Sequence, residues 1–198
     1  MLQEKTRYTP EEYLAREEKA DYKSEYYDGE IVMMPGGTQD HSVIAVNITS
    51  ILNTALERKP CKVMNSDMRL LVSPRGNYTY PDTMIICGRT VFQAGRKDVV
   101  TNPIVIVEVL NVGTHEHDWI DKFKLYEQID SLREYVLIDS ERMVTCLLRR
   151  KEDTRKWLIE VMNEPTEALV LESLQLEIPL SRIYAKIDFQ TDPESDSE

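Results

Sequence analysis

An α/β fold built on a mixed sheet is what this 198-residue sequence predicts, and three observations predict it. First, Ile44, Ile48, Ile51, Leu52 and Ala55 recur at three- and four-residue spacing, which gives a long helix one apolar face. Second, residues 104–110, Ile-Val-Ile-Val-Glu-Val-Leu, are apolar on both faces except for one carboxylate, the pattern of a central strand covered on both sides. Third, the periodicities run in the order helix, hairpin, long helix, three strands, helix, strand, hairpin, so helices and strands alternate through the chain.

Taken in order, Thr9-Pro10-Glu11-Glu12 supplies a capping residue, a proline at the first helical position and a glutamate at the third, which opens a short polar helix through about Ala20. Residues 25–34 read as a hairpin turning at Asp28-Gly29, and Pro35-Gly36-Gly37 ends it. The long helix runs from His41 to about Glu57. Strand-like segments follow at Lys62 to Val72, at Tyr78 to Cys87 with Pro81-Asp82 inside it, and at Ile104 to Leu110. Pro74, Gly76, Gly88, Gly95 and Pro103 punctuate them. Residues 118–129 return to helical periodicity, and Glu134 to Asp139 is a β-branched strand. Met143 to Arg150 and Trp157 to Met162 form a hairpin across a charged turn, with short apolar pieces around Pro165 and Pro179 beyond it.

Lys and Arg number 24 against 35 Asp and Glu, a net charge of −11 that argues against a nonspecific nucleic-acid coat but not against an enzyme acting on nucleic acid. No apolar run approaches the ~18 residues of a membrane span, and the first residues hold no apolar signal core, so no membrane association and a cytoplasmic setting are expected. Cys61, Cys87 and Cys146 are odd in number and far apart, and read as free core thiols. Residues 1–186 are expected to form a single domain. Residues 187–198, carrying Asp188, Asp192, Glu194, Asp196 and Glu198 without a basic residue, read as a solvated acidic tail.

The carboxylate in the doubly covered strand is where chemistry enters. Glu108 at such a position loses several kcal/mol, roughly, in desolvation unless it is paired, protonated or bound to metal. Asp82 follows Pro81 near the start of a strand reading Thr-Met-Ile-Ile-Cys, and two acids on adjacent strands can converge on one divalent ion. Hard oxygen ligands of this kind, completed by water, suit Mg²⁺, and a phosphodiester oxygen can join them.

The pattern Pro81-Asp82, then Glu108-Val109-Leu110, then a helix bearing lysine, resembles the PD-(D/E)XK nuclease superfamily and, more narrowly, the Uma2 family of restriction-endonuclease relatives. The resemblance runs from about Tyr8 to Tyr184. It rests on Glu25-Tyr26-Tyr27-Asp28-Gly29-Glu30, His41-Ser42, Ser66-Asp67-Met68-Arg69, Tyr80-Pro81-Asp82, Ile106 to Leu110, Asp118 to Lys122 with Tyr126, and Leu132-Arg133-Glu134-Tyr135-Val136. Each piece is weak alone; their order is specific. The resemblance implies a restriction-endonuclease-like core, a mixed central sheet flanked by helices, with an N-terminal helix and hairpin and a C-terminal β extension. It also implies metal-dependent endonuclease cleavage of DNA phosphodiester bonds, with Mg²⁺ as cofactor and Mn²⁺ as a substitute. Two departures stand out: the superfamily's usual lysine position is Leu110, and Asn111 replaces a common serine.

In this family the lysine moves to the next helix, and helical geometry tests which one qualifies. At roughly 100° per residue, Lys122 falls within the apolar arc of Trp119, Phe123, Tyr126 and Ile129, while Lys124 lies about 160° from Lys122. The expected set is therefore Asp82 and Glu108 as metal ligands, Lys122 as the cation that orients water and offsets phosphate charge, and His41 assisting, with Glu25 as a possible further carboxylate. Plainer readings exist for each: a buried acid pair satisfied by neighbours, Lys122 paired with Asp118, a capping-region His41, a surface Glu25. His115 and His117 read as loop residues rather than zinc ligands. The stripe of Trp119, Phe123 and Tyr126 reads as core, and Arg149, Arg150, Lys151, Arg155 and Lys156 as a solvated basic turn. A homodimer is expected, since cutting both strands of a duplex asks for two sites. The rival reading keeps the fold but makes the protein a catalytically silent oligomeric interaction or accessory module.

Overall fold

Thr9 Oγ1 accepts from the Glu12 amide at 3.2 Å and Glu12 returns a bond to the Thr9 amide at 2.8 Å, the reciprocal cap that starts α1 (Pro10–Glu17). The computed structural model describes residues 6–73, 76–110, 118–152 and 156–189. After α1 come β1 (Ser24–Tyr27) and β2 (Glu30–Met33), joined at Asp28 and Gly29, both at positive φ (45° and 99°) as a tight hairpin requires. Next is α2 (Gln39–Ala55), which buries Ile44, Ile48 and Leu52.

Two segments that read as single strands are each divided between sheets. Residues 62–72 form β3 (Cys61–Asn65) and β4 (Arg69–Leu71), separated where the Asn65 side chain captures the Asp67 amide at 3.2 Å. Residues 78–87 form β5 (Tyr78–Thr79) and β6 (Thr83–Cys87), separated at Pro81, which has no amide hydrogen for a ladder. The remaining elements are β7 (Val99–Val100), β8 (Val105–Leu110), α3 (Asp118–Tyr126), β9 (Glu134–Asp139), β10 (Thr145–Arg150), β11 (Trp157–Met162), β12 (Ala168–Leu171), β13 (Leu176–Pro179) and α4 (Leu180–Ile183).

Among the described residues the strands form a six-stranded sheet, β11-β10-β9-β8-β6-β3, a five-stranded sheet, β2-β1-β5-β4-β7, and the pair β12-β13. The large sheet is mixed: β8 and β9 run parallel and its other neighbours antiparallel. Alternation along β8 sorts its side chains between two cores. Val105, Val107 and Val109 pack with α2 and α4, while Ile106 and Leu110 pack with Tyr126 of α3. Among the described residues no helix is long and apolar enough to cross a membrane.

Three expectations change. Cys61 and Cys87 are disulfide-bonded, because the antiparallel register sets them directly opposite each other on β3 and β6; only Cys146 is a free thiol. An all-thiol cysteine set therefore no longer supports a cytoplasmic setting. Ile187 and Phe189, read as the start of the tail, pack against the core, Phe189 edge-on to Tyr184 with ring centroids 5.4 Å apart. Arg149 is no solvated turn residue: it pairs with Glu134, Glu160 and Glu172 at 3.3, 2.6 and 3.1 Å. Arg150 lies over the Trp157 ring at 4.8 Å. Asn111, His115, His117, Arg155, the side chain of Trp119 and residues 190–198 lie outside the described residues.

Candidate active site

Glu108 shares its face of β8 with Ile106 and Leu110, so it points at α3 from the middle of the large sheet, only 6% exposed. The last registered pair between β6 and β8 is Thr83 with Val107; one step further, Asp82 falls opposite Glu108. The break at Pro81 thus serves the site, since it frees Asp82 from the ladder. One of its oxygens, Oδ2, accepts the Val109 amide at 2.8 Å and lies 3.4 Å from His41 Nε2. His41 stands in the first turn of α2, whose start is fixed by Thr38 Oγ1 accepting the His41 amide at 3.2 Å. Gly37 leaves room for the imidazole: a Cβ there would come within 2.7 Å of Nδ1.

Lys122 reaches back from α3 between two acids, its ammonium 3.3 Å from Glu108 Oε1 and 3.4 Å from Glu25 Oε1. Lys124 points to the surface and pairs with Asp121 at 2.8 Å, as expected of two lysines on opposite sides of one helix. Glu25, Asp82, Glu108, Lys122, His41 and Tyr135 line a cavity of about 210 Å³, under an apolar lip of Val32, Met33 and Met34. All five residues singled out in the sequence are therefore gathered at one place.

The neighbours that hold them belong to the family pattern but were given no role in the site. Tyr126 donates to Glu108 Oε1 at 2.7 Å, Tyr27 donates to Glu25 Oε2, and the Tyr80 amide donates to Glu25 Oε1 at 3.4 Å. The signals were present: Tyr126 is four residues beyond Lys122 on one helical face, and Tyr27 two beyond Glu25 on one strand face. Tyr126 read as core because its ring is core; its hydroxyl, equally buried, is given to Glu108. Tyr135 also reaches the site, fully buried, with a hydroxyl that finds no hydrogen-bond partner among the described residues.

Electrostatics follow from burial. Desolvation pushes the Glu108 carboxyl up to about 7, with Asp82 and Glu25 adding to the rise and the Lys122 ammonium and the Tyr126 hydroxyl opposing it. Burial works against the Lys122 charge, but Glu108 and Glu25 outweigh it and hold the proton well above the usual lysine range. The hydrogen bond to Asp82 raises His41 against its own desolvation, so this imidazole keeps its proton to higher pH than usual.

Among the described residues, no group of three or more His, Cys, Asp or Glu gathers as a ready-made metal cage. Asp82 and Glu108 nevertheless suit a hard divalent ion in kind. Both open on the same cavity, and Asp82 Oδ1 and Glu108 Oε2 accept no hydrogen bond from a described residue. Water and substrate oxygens would have to complete the shell, as Mg²⁺ commonly allows.

Comparison with known proteins agrees with this architecture. The family model described as "Uma2: Putative restriction endonuclease" matches residues 10–181. "Uncharacterized protein slr1290" of Synechocystis sp. (strain ATCC 27184 / PCC 6803 / Kazusa) is 35% identical over 183 residues, covering 91% of this chain and 93% of its own. "Uncharacterized protein sll1609" of the same strain is 36% identical over 160 residues, covering 80% and 90%. The crystal structure of a "putative nuclease belonging to DUF820 from Anabaena variabilis ATCC 29413" superimposes with a TM-score of 0.70 at 19% identity, over 89% of this chain and 97% of that one. The fold is thus the restriction-endonuclease-like one. With a family match across most of its length and two relatives above one-third identity, the chain belongs to the Uma2 family.

Proposed function

We propose that the protein is a Mg²⁺-dependent endodeoxyribonuclease that hydrolyses DNA phosphodiester bonds with a metal-activated water, on the pattern of the PD-(D/E)XK superfamily but with its lysine displaced to α3. Family and fold both point to a nuclease. The observation that carries the finer reading is the meeting of Asp82, Glu108 and Lys122 in one cavity, drawn from the residue before β6, from β8 and from α3.

Asp82 and Glu108 would hold the ion, which when bound would lower the pKa of a water and polarise a phosphate oxygen. Lys122, kept protonated by its two acidic neighbours, is a fixed positive charge at the cavity wall. It can orient the attacking water and offset the charge that grows on the phosphate. Glu25 steadies that ammonium, and Tyr126 fixes the Glu108 carboxylate by one oxygen while leaving the other to the cavity. His41, whose proton is retained by Asp82, serves better as a holder of that carboxylate than as a base. Action as a homodimer, two sites to a duplex, completes the reading.

One observation favours the rival, a catalytically silent interaction module: the net charge of −11 repels the DNA backbone. Incubation with supercoiled plasmid and Mg²⁺ or Mn²⁺, beside Asp82→Ala, separates the two. The nuclease reading expects nicking by the parent protein alone. No nicking by either favours the silent module, and equal nicking by both marks a contaminant and removes the support for Asp82.

A further inference from the structure

β11 is the outermost strand of the large sheet, and no described strand pairs along its free side. The Lys151 amide donates to the Lys156 carbonyl at 2.9 Å, which sets the phase of the β10–β11 ladder. Residues 156, 158, 160 and 162 turn their backbone groups toward β10, so those of Trp157, Ile159 and Val161 point out of the sheet. Natural edge strands are commonly guarded by lysine, proline or a bulge. Within Trp157–Met162 there is no lysine and no proline, and the one charge, Glu160, is held by Arg149 at 2.6 Å. Leu158, Ile159 and Val161 are instead 41%, 55% and 60% exposed.

We propose that β11 is a self-association surface, on which a second copy of this chain adds its own β11 antiparallel about a two-fold axis and joins the two large sheets into one. An antiparallel strand paired with itself is self-complementary by symmetry, the requirement of a two-fold interface. Charge selects the register. With the axis at Leu158, Trp157 lies opposite the partner's Ile159, where the outward backbone groups exchange hydrogen bonds, and Lys156 lies opposite the partner's Glu160, twice over. An axis at Glu160 would set glutamate against glutamate, and one at Ile159 would leave Glu160 facing leucine. The pairing gives the homodimer of the nuclease reading an interface, and it stands or falls separately from the cleavage chemistry that plasmid nicking tests.

Light scattering over a wide concentration range should give twice the 23.0 kDa chain mass for the parent protein. Ile159→Lys, at a side chain more than half exposed, should keep the fold and return the mass to that of one chain. In a Cys146→Ser background, Leu158→Cys should cross-link to a dimer on mild oxidation, because facing residues of a non-hydrogen-bonded pair have Cα atoms about 4.5 Å apart. Val161→Cys should not, its two copies lying roughly 20 Å apart. A monomeric parent, a dimer that survives Ile159→Lys, or cross-linking at Val161→Cys rather than Leu158→Cys would overturn the assignment.

Discussion

Glu108 shows how one residue can announce a site and still conceal half of it. Burial pushes its carboxyl up from 4.5 to about 7, so between those values the fold keeps a proton that the unfolded chain has released. The resulting stabilisation is complete below about 4.5 and is lost as pH rises through about 7. Urea unfolding at about pH 5 and about pH 8 in chelator should show the parent losing up to about 3 kcal/mol more than Glu108→Gln over that interval. Equal losses would place Glu108 in a wetter environment than its 6% exposure indicates. Tyr135 carries the complementary test. Its buried hydroxyl has no partner among the described residues, so Tyr135→Phe should leave metal-free stability unchanged or raise it by about 1 kcal/mol, read from the same urea transitions. The sequence marked Glu108 because an acid in an apolar strand is conspicuous. Tyr126 and Tyr135 stood in the family pattern without a role, since an aromatic residue in a core pattern declares its ring and not where its hydroxyl ends.

At the scale of elements, local signals located helices and turns well and strand partners poorly. The Thr9 capping box, the Asp28-Gly29 turn and the face of α2 are short-range features, and each is where the sequence puts it. The stretches 62–72 and 78–87 each read as one strand although Asn65 and Pro81 mark local breaks within them; which sheet each half joins is set by tertiary pairing. The Cys61–Cys87 bond was hidden for the same reason, since register is not a local property. The segment before α2 was legible merely as a breaker, yet Gly37 is where a side chain would strike the His41 imidazole. Gly37→Ala should therefore push the ring away from Asp82 and bring the His41 pKa back down toward its ordinary value, with the fold intact. Imidazole NMR titration reads this directly; an unmoved His41 resonance would mean that the ring has other support.

On the scale of the whole molecule, an acidic protein gathers a lysine and three acids in a cavity beside the junction of its two larger sheets. Nothing in composition shows this, and the separate pieces become a site only when β1, β6, β8, α2 and α3 are brought together. A divalent ion bound between Asp82 and Glu108 should raise the melting temperature through linkage, so Mn²⁺ should stabilise the parent and Glu108→Gln should lose most of that gain. An equal gain in the variant would place the ion elsewhere. The central claim, that this cavity is a phosphodiesterase centre with Lys122 as its cation, is tested most directly by the initial rate of plasmid nicking in Mg²⁺ for the parent, Lys122→Met and Lys124→Met. The account expects Lys122→Met to fall by roughly 10²-fold or more while Lys124→Met, two residues along the same helix, stays near the parent rate. Equal rates in all three, or equal losses in both variants, would contradict it.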